Sequence, residues 1–277
     1  MYNLIFKNNC VYIEGIEHFD LPHTLDCGQA FRWECDEKGR WRGVAYNKYL
    51  ELEKLENGTI ILYNTDKETF DCVWRDYFDL DRDYGEIIVG ISGNEILKNA
   101  AEYGKGIRVL NQEPWETLCS FIISQNNNIK RIKGIINRLC ECFGEEFNGF
   151  YTFPSAERIA GLSLEDLAPL RSGFRAKYIL DAAKKVAGGE VDLFNLKSLS
   201  IDDARNELMK INGVGPKVAD CALLFSHKHI SAFPKDVWIK RAMQVLFDGE
   251  LPAEALPYAG IVQQYIFFYA RETKLSL

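Results

Sequence analysis

The chain has 277 residues, 47% of them hydrophobic and 26% charged; this length suits two ordinary domains, and the composition excludes disordered and collagenous classes. No apolar run approaches the ~18 residues that span a bilayer, and Met1 to Cys10 lacks the basic start and apolar core of a signal peptide, so a soluble, intracellular protein is expected. The formal net charge of −7 does not exclude a polyanionic partner, because the acid excess lies before about residue 105 and a local basic stripe is enough to hold nucleic acid.

Taken in order, the chain opens on strands. Asn3 to Ile13 is apolar and partly β-branched, followed by strand-like runs at Arg32-Trp33, Trp41 to Tyr46, Leu50 to Leu55 and Thr59 to Tyr63. Glu37 to Arg40, Tyr46-Asn47-Lys48 and Glu56-Asn57-Gly58 separate them as turns, and Asn-Gly is a strong hairpin signal. From Lys67 to about Gly104 the pattern turns helical, with Phe70, Trp74, Tyr77 and Phe78 at three- and four-residue steps.

After about Arg108 no segment predicts a strand. Pro114 starts an apolar-periodic helix that runs to Ile123, the polar run Ser124 to Asn128 interrupts it, and a second helix continues to about Phe143. Ser163 with Asp166 and Ser200 with Asp203 are helix-start signals. Further helices are expected near 175–187, 201–210, 217–226, 236–247 and 258–272. The predicted architecture is an α+β N-terminal domain with an antiparallel sheet over residues 1–107, then a mainly α-helical domain over residues 108–277. Eight cysteines are present without any Cys-x-x-Cys pair, so reduced thiols are expected and neither a metal nor another cofactor.

The segment Ile211 to Asp220 carries the chemistry. Gly213 and Gly215 flank Val214 between two helices, which allows positive φ and a tight reversal that points helix-start N–H groups outward, a phosphate site that needs no net charge. Lys217 falls in the first turn of the second helix, where the positive dipole end and partial burial both disfavour its charged form and favour a nucleophilic amine. Asp236, after Phe233-Pro234-Lys235, precedes the next helix and has the place of an N-cap.

Gly213-Val214-Gly215-Pro216-Lys217-Val218-Ala219-Asp220, followed by Pro234-Lys235-Asp236, resembles the helix-hairpin-helix-GPD superfamily of DNA glycosylases. Cys27-Gly28-Gln29-Ala30-Phe31-Arg32-Trp33, Ser120 to Ile132, Gly173-Phe174-Arg175-Ala176 and Asp220-Cys221 resemble the 8-oxoguanine DNA glycosylase/AP lyases, in order along nearly the whole chain. An endonuclease III or adenine-glycosylase relative would carry a four-cysteine cluster motif, which is absent, and an alkylpurine glycosylase relative would lack the lysine.

The resemblance implies an enzyme that excises 8-oxoguanine opposite cytosine from double-stranded DNA and then nicks the strand, acting as a monomer, in the cytoplasm at the nucleoid of a bacterium or in a eukaryotic nucleus. It makes Lys217 the nucleophile and Asp236 the carboxylate that stabilises the sugar cation. Gly28 becomes the carbonyl acceptor for the hydrogen that 8-oxoguanine carries on N7, with Phe267 and Cys221 on the two faces of the base and Gln263 at its Watson–Crick edge. Asn126, Arg131 and Arg175 fill the vacated space and read the orphan cytosine, Phe174 is the wedge, and Gly213, Val214, Gly215 and Trp238 touch the DNA. Gln29 and Trp33 organise the Gly28 loop. Trp238 stands where eukaryotic relatives carry histidine, Phe174 where they carry tyrosine, and Lys235 where a small apolar residue is usual. The alternatives are a glycosylase of the same fold for a broader range of damaged purines and a non-catalytic helix-hairpin-helix module, for which Lys217 and Asp236 would have no use.

Overall fold

The structure is a computed structural model that describes residues 2–147 and 149–273. Six strands, β1 (Asn3–Lys7), β2 (Cys10–Glu14), β3 (Trp33–Cys35), β4 (Trp41–Ala45), β5 (Lys48–Lys54) and β6 (Ile60–Tyr63), form one antiparallel sheet in the order β1-β2-β6-β5-β4-β3. The first apolar run is therefore two strands, not one. Asn8 and Asn9 both take positive φ and reverse the chain between Lys7 and Cys10, and Tyr46-Asn47 does the same between Ala45 and Lys48. Two consecutive left-handed residues are the hairpin whose twist matches that of the strands. Alternation then buries Val11 and Ile13 of β2 and Leu50 and Leu52 of β5.

The sheet packs on an aromatic cluster. Short helices α1 (Leu21–Leu25), α2 (Lys67–Thr69) and α3 (Arg75–Tyr77), the last two joined by a π-helical turn at Phe70–Trp74, bring Trp74, Tyr77 and Phe78 against Trp33. The Trp33 indole N–H donates to the Tyr77 hydroxyl at 2.7 Å, which leaves neither polar tip unpaired in the core. Helices α4 (Tyr84–Ile91) and α5 (Glu95–Tyr103) precede residue 108 but belong to the second core, shared with α6 (Pro114–Ser124), α7 (Ile129–Phe143), α8 (Ala156–Ala160), α9 (Arg175–Ala187), α10 (Ile201–Met209), α11 (Pro216–Ser226), α12 (Val237–Phe247) and α13 (Ala259–Glu272).

Two features depart from the sequence reading. A two-residue hairpin, β7 (Glu146–Phe147) with β8 (Phe150–Tyr151), stands in the part expected to be wholly helical. Ser163 and Asp166 do bond reciprocally, but the chain turns and runs into a 3-10 turn at Ala168–Leu170 instead of an α-helix. Ser200 caps α10 as expected, by accepting from the Asp203 N–H. No helix among the described residues is long and apolar enough to cross a membrane.

Candidate active site

Helix α11 runs through the middle of the helical core, with every residue from Val218 to Phe225 buried, so its N-terminus is rigidly placed. Gly215 is its N-cap and Pro216 its first residue, a position that suits the fixed φ of proline. Lys217 is half-buried in the first turn, its Nζ 5.3 Å from the centre of the Phe121 ring. Phe121 in turn stacks on Phe225, with centroids 5.3 Å apart and planes at 15°. One turn along, burial pushes the Cys221 thiol up to about 11, against the opposing pull of the Lys217 charge and its side-chain hydrogen bond. Cys221 is therefore a protonated thiol at neutral pH and a weak nucleophile.

Asp236 is the N-cap of α12 and accepts from the Ile239 N–H at 2.7 Å through Oδ1. That bond fixes the side chain. Asp236 and Lys217 line one cavity with Cys27, Gly28, Phe121, Cys221, Phe225, Pro234, Gln263, Gln264 and Phe267. All six of the residues expected at the reacting base and sugar are thus brought together: Lys217, Asp236, Gly28, Cys221, Gln263 and Phe267.

Gly28 has φ +96°, which demands glycine, although a Cβ there meets no protein atom within 4 Å. Its loop is held by Gln29, 1% exposed, whose amide donates to the carbonyls of Thr24 and Arg108 at 2.9 and 2.7 Å and accepts from the Leu110 N–H at 2.9 Å. Gln112 donates to the Gln29 carbonyl at 2.8 Å. Organisation of the loop is therefore what Gln29 does.

The residues expected at the orphan base form a second group on the surface. Asn126 is exposed in the left-handed region at φ 48°, and Arg131 is exposed. Arg175 is 2% exposed, its guanidinium donating to the carbonyls of Gln125, Asn126 and Ser172, so in this state it splints the Asn126 turn. Burial first, and then the Arg131 charge, lower its pKa. Phe174 is 49% exposed, with the Arg175 guanidinium 4.4 Å from its ring centre and Tyr178 edge-on at 5.8 Å. Trp238 is exposed on the first turn of α12.

At the hairpin, only Gly213 of the two glycines has positive φ, at +82°, and a Cβ on it would strike the Tyr178 ring at 2.4 Å. Gly215 has φ −105°, open to any residue. Val214 buries its side chain and donates its N–H to Ile211, so the free donors of the turn are its neighbours and the first turn of α11, which has no side-chain cap. Sequence reasoning missed Phe121, Cys27 and Gln264 as members of the cavity. Phe121 lies inside a motif segment, but only the fold shows its face turned to Lys217.

The 8-oxoguanine DNA glycosylase N-terminal domain family matches residues 11–118, and the HhH-GPD superfamily of base excision DNA repair proteins matches residues 119–250. Together they put both halves of the chain in one class, the base excision DNA repair proteins of helix-hairpin-helix-GPD type. The chain is 44% identical to MBOgg1, solved in complex with a low affinity DNA ligand, with a TM-score of 0.93 over 99% of both chains. It is 39% identical to the Clostridium acetobutylicum 8-oxoguanine glycosylase/lyase, solved with double-stranded DNA containing cytosine opposite 8-oxoguanine, with a TM-score of 0.91 over 99% of both chains. It is also 34% identical to the N-glycosylase/DNA lyase of Saccharomyces cerevisiae, over 80% of this chain and 66% of the yeast protein. The chain belongs to the 8-oxoguanine DNA glycosylase family.

Proposed function

We propose that the protein is a monomeric, bifunctional DNA glycosylase and AP lyase that excises 8-oxoguanine, preferentially opposite cytosine, from duplex DNA. It would act wherever the genome lies, at the nucleoid of a bacterium or in a eukaryotic nucleus. The observation that carries the reading is the convergence of Lys217, Asp236, Gly28, Cys221, Gln263 and Phe267 on one cavity. Capping α12 accounts for Asp236, but it does not account for a half-buried lysine and an amide in the same pocket as that carboxylate and a positive-φ glycine.

Chemistry on a stacked nucleotide requires extrusion. Free N–H groups of the hairpin and of the α11 first turn would hold a phosphate, with Phe174 filling the stack. The Lys217 amine attacks the anomeric carbon as the bond to the base breaks, and the fixed Asp236 carboxylate stabilises the positive charge that develops on the sugar. The two protons of the amine pass to the departing base and to the ring oxygen as the C1′–O4′ bond opens, which leaves an imine, and removal of a proton from C2′ breaks the C3′–O bond and expels the 3′ phosphate. Gly28 would accept the N7 hydrogen of the lesion, whereas guanine would bring a lone pair against that carbonyl.

The test is borohydride trapping on an 8-oxoguanine:cytosine duplex. A covalent protein–DNA adduct is expected from the native chain, and none from Lys217→Gln, which should keep its affinity for the lesion duplex. Near-normal turnover by Lys217→Gln would overturn the mechanism.

A further inference from the structure

Gln264 is 5% exposed in the apolar middle of α13, a place where an amide is costly unless every polar atom is paired. Its Nε2 donates to Gln263 Oε1 at 2.6 Å, and its Oε1 accepts from the Cys27 thiol at 3.6 Å. Gln263 Nε2 donates to the Pro234 carbonyl at 3.3 Å, and Gln29 Nε2, whose two hydrogens go to the Thr24 and Arg108 carbonyls, lies 3.4 Å from the Cys27 sulfur. A carbonyl only accepts, so the Gln263 NH2 must face Pro234 and its oxygen must face Gln264. Gln264 must then present its own NH2 to that oxygen, which leaves its Oε1 for Cys27. Burial pushes the Cys27 thiol up to about 11, so it keeps its hydrogen at neutral pH, shared between Gln264 and the Thr24 carbonyl. The donors all point one way, from the Gly28 loop through α13 to the loop that carries Asp236.

We infer that Gln264, backed by Cys27, is a positioning residue that locks the orientation of the Gln263 amide and thereby makes the cavity select purines with a hydrogen on N1. This rests on the proposed function, in which Gln263 reads the flipped base. The Gln263 oxygen has a second lone pair. Toward a guanine-type edge it meets the N1 hydrogen; toward an adenine-type edge it meets the N1 lone pair. A turned-over Gln263 would set oxygen against the Pro234 carbonyl and NH2 against the Gln264 NH2, two buried repulsions that hold the lock closed. Without Gln264 the second of these vanishes and only the 3.3 Å contact with the Pro234 carbonyl opposes the turn, so the amide serves the adenine-type edge more readily.

The experiment compares single-turnover excision of 8-oxoguanine and of 8-oxoadenine opposite cytosine, with cleavage of a preformed abasic site as the third readout. Both lesions carry the N7 hydrogen, so the Gly28 contact is common to them, and their different pairing with cytosine cancels when variants are compared, so the change in ratio reports the Watson–Crick edge. Gln264→Leu should lower the 8-oxoguanine to 8-oxoadenine ratio about tenfold and leave abasic-site cleavage unchanged. Cys27→Ala should move the ratio the same way by less, and Cys27→Ser, which restores a donor, should bring it back. An unchanged ratio in Gln264→Leu, or a parallel fall in all three activities, would overturn the inference. A native chain that processes neither lesion and leaves the abasic site intact would overturn the proposed function instead.

Discussion

The two sides of the cavity are held by different means. On the helical side, Lys217 sits in a first turn and Asp236 at a cap, and the bond that fixes Asp236 spans three residues. On the other side the Gly28 loop hangs on Gln29, whose partners at Arg108 and Leu110 lie 79 and 81 positions away. Under the proposed function, the chemistry is placed by local helix geometry, and the recognition by contacts between distant parts of the chain. In that reading base excision needs both sides, whereas cleavage of an abasic site needs only the first. The two activities should therefore separate on mutation.

The largest effect is expected on the catalytic side. Asp236→Asn should lower excision by about 10²- to 10³-fold, the usual cost of removing a group that stabilises transition-state charge. Asparagine caps a helix about as well as aspartate, so the melting temperature should hardly move. Single-turnover kinetics and thermal denaturation of the same preparation check this, and a large loss of stability would show that the carboxylate matters to the fold more than to the reaction.

Gln29→Leu attacks the other side. It leaves the Leu110 N–H without its acceptor and two carbonyls without their donor, and a buried unpaired group costs about 1–3 kcal/mol. A loss of about 2–4 kcal/mol in urea unfolding is expected, with excision at a permissive temperature falling well below abasic-site cleavage. An equal fall in the two activities would contradict the division.

Gly28→Ala is the milder version. A Cβ there touches nothing, so the protein bears only the strain of a positive φ, about 1–3 kcal/mol. Losing the carbonyl's placement against the N7 hydrogen should reduce 8-oxoguanine excision about ten- to a hundredfold. Cleavage at a preformed abasic site, which has no base to read, should be spared, and matched duplexes carrying the lesion or the abasic site opposite cytosine decide the matter.

The same division explains how much was legible in the sequence. Asp236 was readable as a cap and Lys217 as a first-turn lysine because both depend on neighbours within a turn. The helices α9 to α13 and the antiparallel run β3 to β6 followed from periodicity and turn residues for the same reason. What the sequence hid was long-range. Neither the buried partners of Gln29 and Gln264 nor the turn of Phe121 toward Lys217 has any local pattern. The split of the first apolar run at Asn8-Asn9 was hidden differently: asparagine tolerates the left-handed region, but its presence does not require it.

The smallest effect is expected at the hairpin, where the two glycines look alike in sequence and differ in structure. Gly213 needs glycine twice, for its φ of +82° and for the Tyr178 ring that a Cβ would meet at 2.4 Å. Tyr178 is also the edge-on partner of Phe174, so displacing it disturbs the wedge along with the turn. Gly213→Ala should weaken binding to lesion and undamaged duplex alike, because the loss falls on phosphate contact and stacking, not on base reading. Gly215 has an ordinary φ of −105°, and a Cβ there meets no atom within 4 Å. Gly215→Ala keeps the N–H and should change stability by no more than about 0.5 kcal/mol, with affinity for both duplexes close to native. Equilibrium titration of each variant with the two duplexes makes the comparison. If Gly215→Ala loses as much affinity as Gly213→Ala, then Gly215 is there to let the phosphate backbone come close.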